Sequence, residues 1–301
     1  MSVIARLGVF VLIAVLIGAC ARSQPAPRDV LVTDDLLPTY DRVARAHNQR
    51  VANLDRVWSR ATIVIDSTDR DGKARRDQGE GHLQVVRPRS LALSVGKLGE
   101  TGLYLGSNGE QYWWFDLLGD SDEDTAFVGR HDRAAETSLA EVGAPLHPLD
   151  LIEMLGVLPL PEGEEVFGPT DRVSRGDDGS VLVVLPARSG HRLLAFEPET
   201  YRLRRAALFD ASGRLLVRSE ARRYGEVRLI EGGGDWPEMP DRLFVEVPAE
   251  GVSVSISLYG MENRGSRQSD APFDLGRLAR AYRIDRVIDI DEEAAAAAAS
   301  R

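Results

Sequence analysis

Only one residue in this 301-residue chain has a type and setting that specify a covalent chemistry, the single cysteine Cys20. With no second thiol it can form no internal disulfide and no thiolate metal site. The five histidines, His47, His82, His131, His147 and His191, are scattered, with no His-Glu-x-x-His pair and no close ligand spacing. No Gly-x-Ser-x-Gly turn activates a serine, and no glycine-rich loop with lysine cradles a phosphate. Two acidic runs, Asp66, Asp69 and Asp71 with Gly72, and Asp120, Asp122, Glu123 and Asp124, carry oxygen ligands suited to a hard cation. Neither has the spacing of an EF-hand loop. Both fall where hairpin tips are expected, so they read as solvated turns. The expectation is a non-enzymatic protein with no cofactor and no metal.

Cys20 closes the run Leu16-Ile17-Gly18-Ala19-Cys20, after an apolar stretch from Leu7 to Ile17 that follows Arg6. A basic start, an apolar middle and small residues before a cut make a removable secretory signal. At roughly 11 residues the stretch is too short for a bilayer core that needs about 20. The aliphatic-small-small-Cys ending resembles the bacterial lipobox, which implies removal of residues 1–19 and acylation of Cys20 as the new N-terminus. The competing readings are an ordinary secretory signal with an incidental cysteine and a structural cysteine in a cytosolic protein. The latter leaves the apolar run without a purpose. Two or more acyl chains, at about 0.8 kcal/mol per buried CH₂, hold a protein on a membrane permanently. The rule for such lipoproteins that an aspartate after the cysteine retains them in the inner membrane is not met by Ala21. The expected place is the cell envelope, facing the periplasm, on the outer rather than the inner membrane.

Residues 20–36 read as a flexible tether, and about 15 such residues reach roughly 20 Å. Residues 292–301 form an alanine-rich tail outside the core. The segment between them, 37–291, reads as one domain. The chain is 43% hydrophobic and 28% charged, enough for one large core. Its net charge of −10 becomes more negative once Arg6 is removed with the signal. Such a surface repels phosphate-rich partners and argues against nucleic acid.

The domain begins with an amphipathic helix. Tyr40, Val43, Ala44, His47, Val51, Leu54 and Trp58 make one apolar stripe, with Thr39 as cap. After Trp58 the period becomes 2, and strand-length runs follow from Ala61–Asp66 to Val252–Leu258. Turn pairs such as Asn108-Gly109, Asp178-Gly179 and Ser212-Gly213 separate many of them. Short links imply antiparallel neighbours. One helix interrupts the series at His147–Gly156, with proline near its start and glycine past its end. It is apolar on nearly every side and must be covered. The adjacent Trp113 and Trp114 point to opposite faces of their strand. One therefore faces the core or cavity and the other faces outward, where core filling or edge protection is expected ahead of anchoring at a membrane or a partner. Arg277, Arg280 and Arg283 read as a charge-balanced surface beside Asp274, Asp285 and Asp289.

Together the lipobox, the first helix, the strand Ala61–Asp66, the Gly79-Glu80-Gly81 to Leu91 stretch with its Arg87-Pro88 turn, the Ser107-to-Trp114 hairpin and the paired strands around Phe196-Glu197-Pro198 and Phe209-to-Gly213 resemble the LolA/LolB-like outer-membrane lipoprotein carriers. The resemblance runs from about residue 37 to 290. It implies a mainly β fold, a large and strongly curved antiparallel sheet forming an unclosed half-barrel. Short helices cover its apolar concave side, which holds lipid or the acyl chains of lipoproteins. On that basis the lining candidates are Leu91, Leu93, Val95, Leu103, Leu105, Trp113, Ile152, Met154, Leu155, Leu158, Val252, Val254 and Ile256. The anchor at Cys20 sets the chain apart from freely moving carriers and favours an acceptor or local handler. The alternative is an interaction or sensor lipoprotein with a filled core and an envelope protein as partner.

Overall fold

The computed structural model describes residues 37–68, 72–117, 124–133, 147–162, 173–188 and 190–293. Cys20, the tether, most of both acidic runs and the end of the alanine tail lie outside these residues. The unit beginning at Leu37 is compact in its own right. Among the described residues no helix is long and apolar enough to cross a membrane.

Helix α1 (Tyr40–Val51) opens the chain, its N-terminus capped by Thr39, whose hydroxyl accepts from the Arg42 amide. Strands β1 (Arg56–Thr68), β2 (Ala74–Val86), β3 (Ser90–Lys97), β4 (Glu100–Ser107), β5 (Gln111–Asp116) and β6 (Thr125–Arg130) follow as an antiparallel meander. Helix α2 (Pro148–Met154) interrupts the sheet. Next come β7 (Val173–Arg175), β8 (Val181–Ala187), β9 (Gly190–Phe196), β10 (Leu203–Asp210), β11 (Leu215–Glu226), β12 (Arg228–Leu229), β13 (Glu238–Val247) and β14 (Val252–Asn263). Helix α3 (Leu275–Ala281) and β15 (Arg286–Asp289) end the fold.

All the strands belong to one 15-stranded sheet with β15 at one end and β7 at the other. The ends do not meet, so the sheet is an unclosed barrel, as expected. The pairing of β1 with β14 joins its two halves, Ile63 lying opposite Ile256. Two pairs are parallel, β12 with β14 and β15 with β6. Short links could not foretell these, because each joins segments distant in sequence.

Period-2 alternation sorts the side chains to two faces. On the inner face, Ile63, Leu83, Leu91, Leu93, Leu105, Leu243, Val245, Val254 and Ile256 pack into one core with Leu151, Ile152, Met154 and Leu155 of α2. A second cluster joins Val43 and Ala44 of α1 to Val183, Leu194, Phe196 and Leu203. A third lies on the outer face, where Tyr104, Trp113 and Phe115 are covered by Phe273 and by Leu278 of α3.

The first helix is shorter than the apolar stripe suggested. It stops at Val51, and the chain turns through Leu54, whose amide donates to the Val51 carbonyl. By Arg56 it already pairs with Val86 of β2. Leu54 still reaches the core through the turn, but Trp58 does not. It lies on β1 with its ring under the Arg264 guanidinium at 3.8 Å and beside His82 at 5.4 Å. A spacing of four happens to match both a helical and a strand position there, and strand pairing wins.

Candidate functional site

The candidate site is the inner face of the sheet together with the segment that fills it. Helix α2 forms where Pro148 supplies a fixed first-turn φ and the His147 ring accepts from the Leu149 amide at 3.1 Å. It ends at Gly156, whose φ of +62° belongs to the left-handed region that favours glycine. Within it Leu151, Ile152, Met154 and Leu155 are at most 1% exposed. At about 25 cal/mol per Å², leaving such side chains in water costs roughly 1.5–3 kcal/mol each. Burial on the inner face therefore holds the helix in.

Polar ties fix this helix and the irregular strap that follows it. Asp150 meets Arg188 at 2.9 Å, and Glu153 meets Arg192 at 3.2 Å. Burial raises the Asp150 carboxyl to about 6 despite the Arg188 charge beside it. The strap from Gly156 to Pro161 lies along α1. Arg50 donates to the Gly156 carbonyl at 3.2 Å and to the Glu238 carbonyl at 3.0 Å. His47 bonds the Leu158 carbonyl at 2.8 Å. Asn48 donates to the Leu160 carbonyl and accepts from its amide, at 2.9 and 2.7 Å. The Tyr40 hydroxyl donates to the Pro161 carbonyl at 2.7 Å, and Arg87 donates to the Val157 carbonyl at 3.3 Å. Backbone groups of a segment that has no sheet partner are thus satisfied by side chains.

The tautomer of His47 follows from its neighbours. A carbonyl only accepts, so Nε2 carries the proton; the Arg50 guanidinium only donates, so Nδ1, 3.0 Å away, presents its lone pair. Burial first, and the Arg50 charge second, push the imidazole down to about 3. His147 is likewise lowered by burial, and then by Arg188 and His131. Its ring packs on Tyr112 at 4.3 Å, and His131 lies 5.7 Å from that tyrosine and 6.1 Å from the His147 ring. These histidines are neutral packing groups of the inner side, and among the described residues no cluster of three or more metal-binding side chains exists.

Of the residues singled out in the sequence, Leu91, Leu93, Leu105, Ile152, Met154, Leu155, Val254 and Ile256 are buried in the inner core, and Val95, Leu103, Leu158 and Val252 pack half-buried against it. Trp113 does not belong with them. It lies on the outer face, fully buried in the cluster covered by α3. Trp114 is the inward ring, stacked on Phe127 at 4.6 Å. Neither tryptophan is exposed for anchoring. Strand alternation puts the two rings on opposite faces but does not say which is which, nor that a helix from residues 275–281 covers the other. Arg277 sits on that helix, where Asp274 caps the N-terminus by accepting from the Arg277 amide at 2.9 Å. An aspartate before Leu275-Gly-Arg-Leu278 was the legible signal for it.

No family model matches the chain, and no curated protein does. Among solved structures it is similar to a DUF1329 family protein from Desulfovibrio piger ATCC 29098. That likeness has 15% identity and a TM-score of 0.49, over 79% of this chain and 99% of the other. It is also similar to a LolA superfamily protein from Nitrosomonas europaea, with 15% identity and a TM-score of 0.45, over 77% of this chain and 98% of the other. These are distant likenesses of overall fold, the second to a member of the group that the sequence resembles.

Chemically, the inner face offers a lining that is mostly apolar. Its polar groups sit at the two ends of the inner helix and along the strap. What they hold in place is a short apolar segment.

Proposed function

We propose that this protein is an envelope lipoprotein, anchored through acylated Cys20 and facing the periplasm, that binds lipid or the acyl chains of lipoproteins on the inner face of its sheet. The observation that carries this reading is α2, a seven-residue helix buried on nearly every side inside the unclosed sheet. It covers Leu91, Leu93 and Leu105 as a ligand's tails would, held by its buried apolar side chains and by two ion pairs to the sheet. Acyl chains would take its place on the same apolar surface, non-catalytically. An anchor on the outer membrane, on the argument from Ala21, makes the protein an acceptor or local handler rather than a shuttle.

A second reading is favoured by the same burial. If α2 never leaves, the core is filled, and the protein is an interaction or sensor lipoprotein that binds an envelope protein through another surface. Native mass spectrometry of the 37–301 unit, secreted without Cys20 and purified without detergent, separates the two. The first reading expects co-purified lipid that organic extraction releases. An apo mass alone, with no uptake of a fluorescent fatty acid, would leave the second reading standing.

A further inference from the structure

A second concavity lies on the opposite face from α2. It is a groove of about 1140 Å³ across the outer side of β1–β4, closed at one side by Tyr259 of β14. Strand register assigns its lining. Arg60, Thr62, Gln78, Glu80, His82 and Ser94 all point outward, while their neighbours Ile63, Leu83 and Leu93 point into the core. The groove follows two irregularities, one in β14 opposite Trp58–Arg60 and one in β4 opposite Val95–Gly96, where each of these strands carries one extra residue. Such bulges bend a strand and re-aim its side chains. Gly81 permits the bend, since a Cβ there would lie 1.9 Å from the Ser94 carbonyl oxygen.

The lining is polar and largely unpaired. Many exposed arginines of the sheet are matched to carboxylates, as in Arg205 with Asp178, Arg218 with Glu246 and Arg222 with Glu220. In the groove the side chains of Arg60, Thr62, Gln78 and Glu80 have no hydrogen-bond or ion-pair partner among the described residues. On the outward face the one arginine, Arg60, stands against the one carboxylate, Glu80, while Lys97 at the end of β3 is paired with Asp77 at 3.7 Å. At the rim are two of the large apolar side chains that the described surface leaves exposed, Leu98 and the Tyr259 ring, the latter 45% exposed.

These features exclude ligand classes in turn. Acyl chains find only Leu98 and Tyr259 as exposed large apolar side chains here, both at the rim. Polyanions lack a net positive field in a chain of charge −10. An extended peptide gains nothing from backbone pairing, because the floor strands already spend their amides and carbonyls on one another. A dense set of unpaired hydroxyl, amide, carboxylate and guanidinium groups beside an exposed aromatic ring suits an uncharged polyhydroxylated chain. Its hydroxyls take the hydrogen bonds, and its C–H face lies on the ring. We infer that this groove is a binding site for an oligosaccharide.

The test uses the full chain in micelles of a detergent without a sugar headgroup. Chitotetraose and maltotetraose serve as probes, with tetraglutamate as a charged control, followed by saturation-transfer NMR and calorimetry. The inference expects at least one tetrasaccharide to bind. Tyr259→Ala and Gln78→Ala, both at exposed positions, should each weaken it by about three- to tenfold with thermal unfolding unchanged. It is overturned if neither sugar binds at about 10 mM, a level that would detect even very weak association. It is equally overturned if binding is unaffected in both variants, or if tetraglutamate binds in preference to the sugars.

Discussion

Acidification should loosen the hold of α1 on the strap, and His47→Gln isolates the reason. His47 is 2% exposed and neutral, its Nε2 donating to the Leu158 carbonyl and its Nδ1 accepting from Arg50. Protonation would break the second bond and bring two buried cations together, and burial with Arg50 holds the imidazole down to about 3 from an ordinary 6.5. The unfolded chain takes up the proton first, so the histidine's contribution to stability is fully present above about pH 6.5 and is lost as pH falls from there to about 3. Each pH unit in that window costs about 1.4 kcal/mol. At pH 5, one and a half units below the free value with the folded form still unprotonated, the loss is about 2 kcal/mol. A glutamine amide can donate to Leu158 and accept from Arg50 without titrating. Urea unfolding of the 37–301 unit and its His47→Gln variant, at pH 7.5 and 5.0, gives the comparison. Other groups cancel in the difference, including His147, which acts in the same sense, and Asp150, which is raised to about 6 and acts in the opposite sense. The native protein should lose about 2 kcal/mol more than the variant on acidification. A difference under about 0.5 kcal/mol, within the error of such extrapolations, would refute the buried-neutral account of His47.

Three further outcomes follow from the same contacts. Leu155→Ala, at a fully buried position of α2, should cost about 2–5 kcal/mol in urea unfolding; a loss under about 1 kcal/mol would mean that α2 is not part of the folded core. Gly156→Ala places a side chain at φ +62°, with its Cβ 2.8 Å from Leu203 Cδ2, and should cost at least about 1–2 kcal/mol, whereas a neutral result would show that the chain leaves α2 by another turn. Cys20→Ser should abolish incorporation of radiolabelled palmitate and shift the protein to the aqueous phase of a detergent partition, and persistent labelling would place the anchor elsewhere.

Much of the fold was legible because its signals are local. Alternation in Val252 to Leu258 and the turn pairs between runs gave the strands, and proline before and glycine after gave α2. Faces were harder. The stripe from Tyr40 to Trp58 ran past the true helix end, since position 58 suits a helix face as well as a strand. Trp113 and Trp114 alternate, but only the covering by α3 settles which of them looks inward. Polar ties were illegible for a different reason. Arg50 reaches Glu238 across 188 residues and Asn48 reaches Leu160 across 112, and no spacing rule connects such positions. His47 fell on the apolar stripe of α1, which was the one hint that it is buried among partners. The outer groove was hidden because its residues look like ordinary exposed strand positions until the bulges of β14 and β4 bring them to one concavity.

The exchange of α2 for acyl chains is open to direct measurement by amide hydrogen exchange on the 37–301 unit, with and without a saturating fluorescent fatty acid whose uptake is followed in the same sample. The account predicts uptake together with faster exchange across Leu149–Leu155, as the helix gives up its place, while the β1–β2 ladder is unchanged. Uptake with α2 still protected, or no uptake at all, would contradict it.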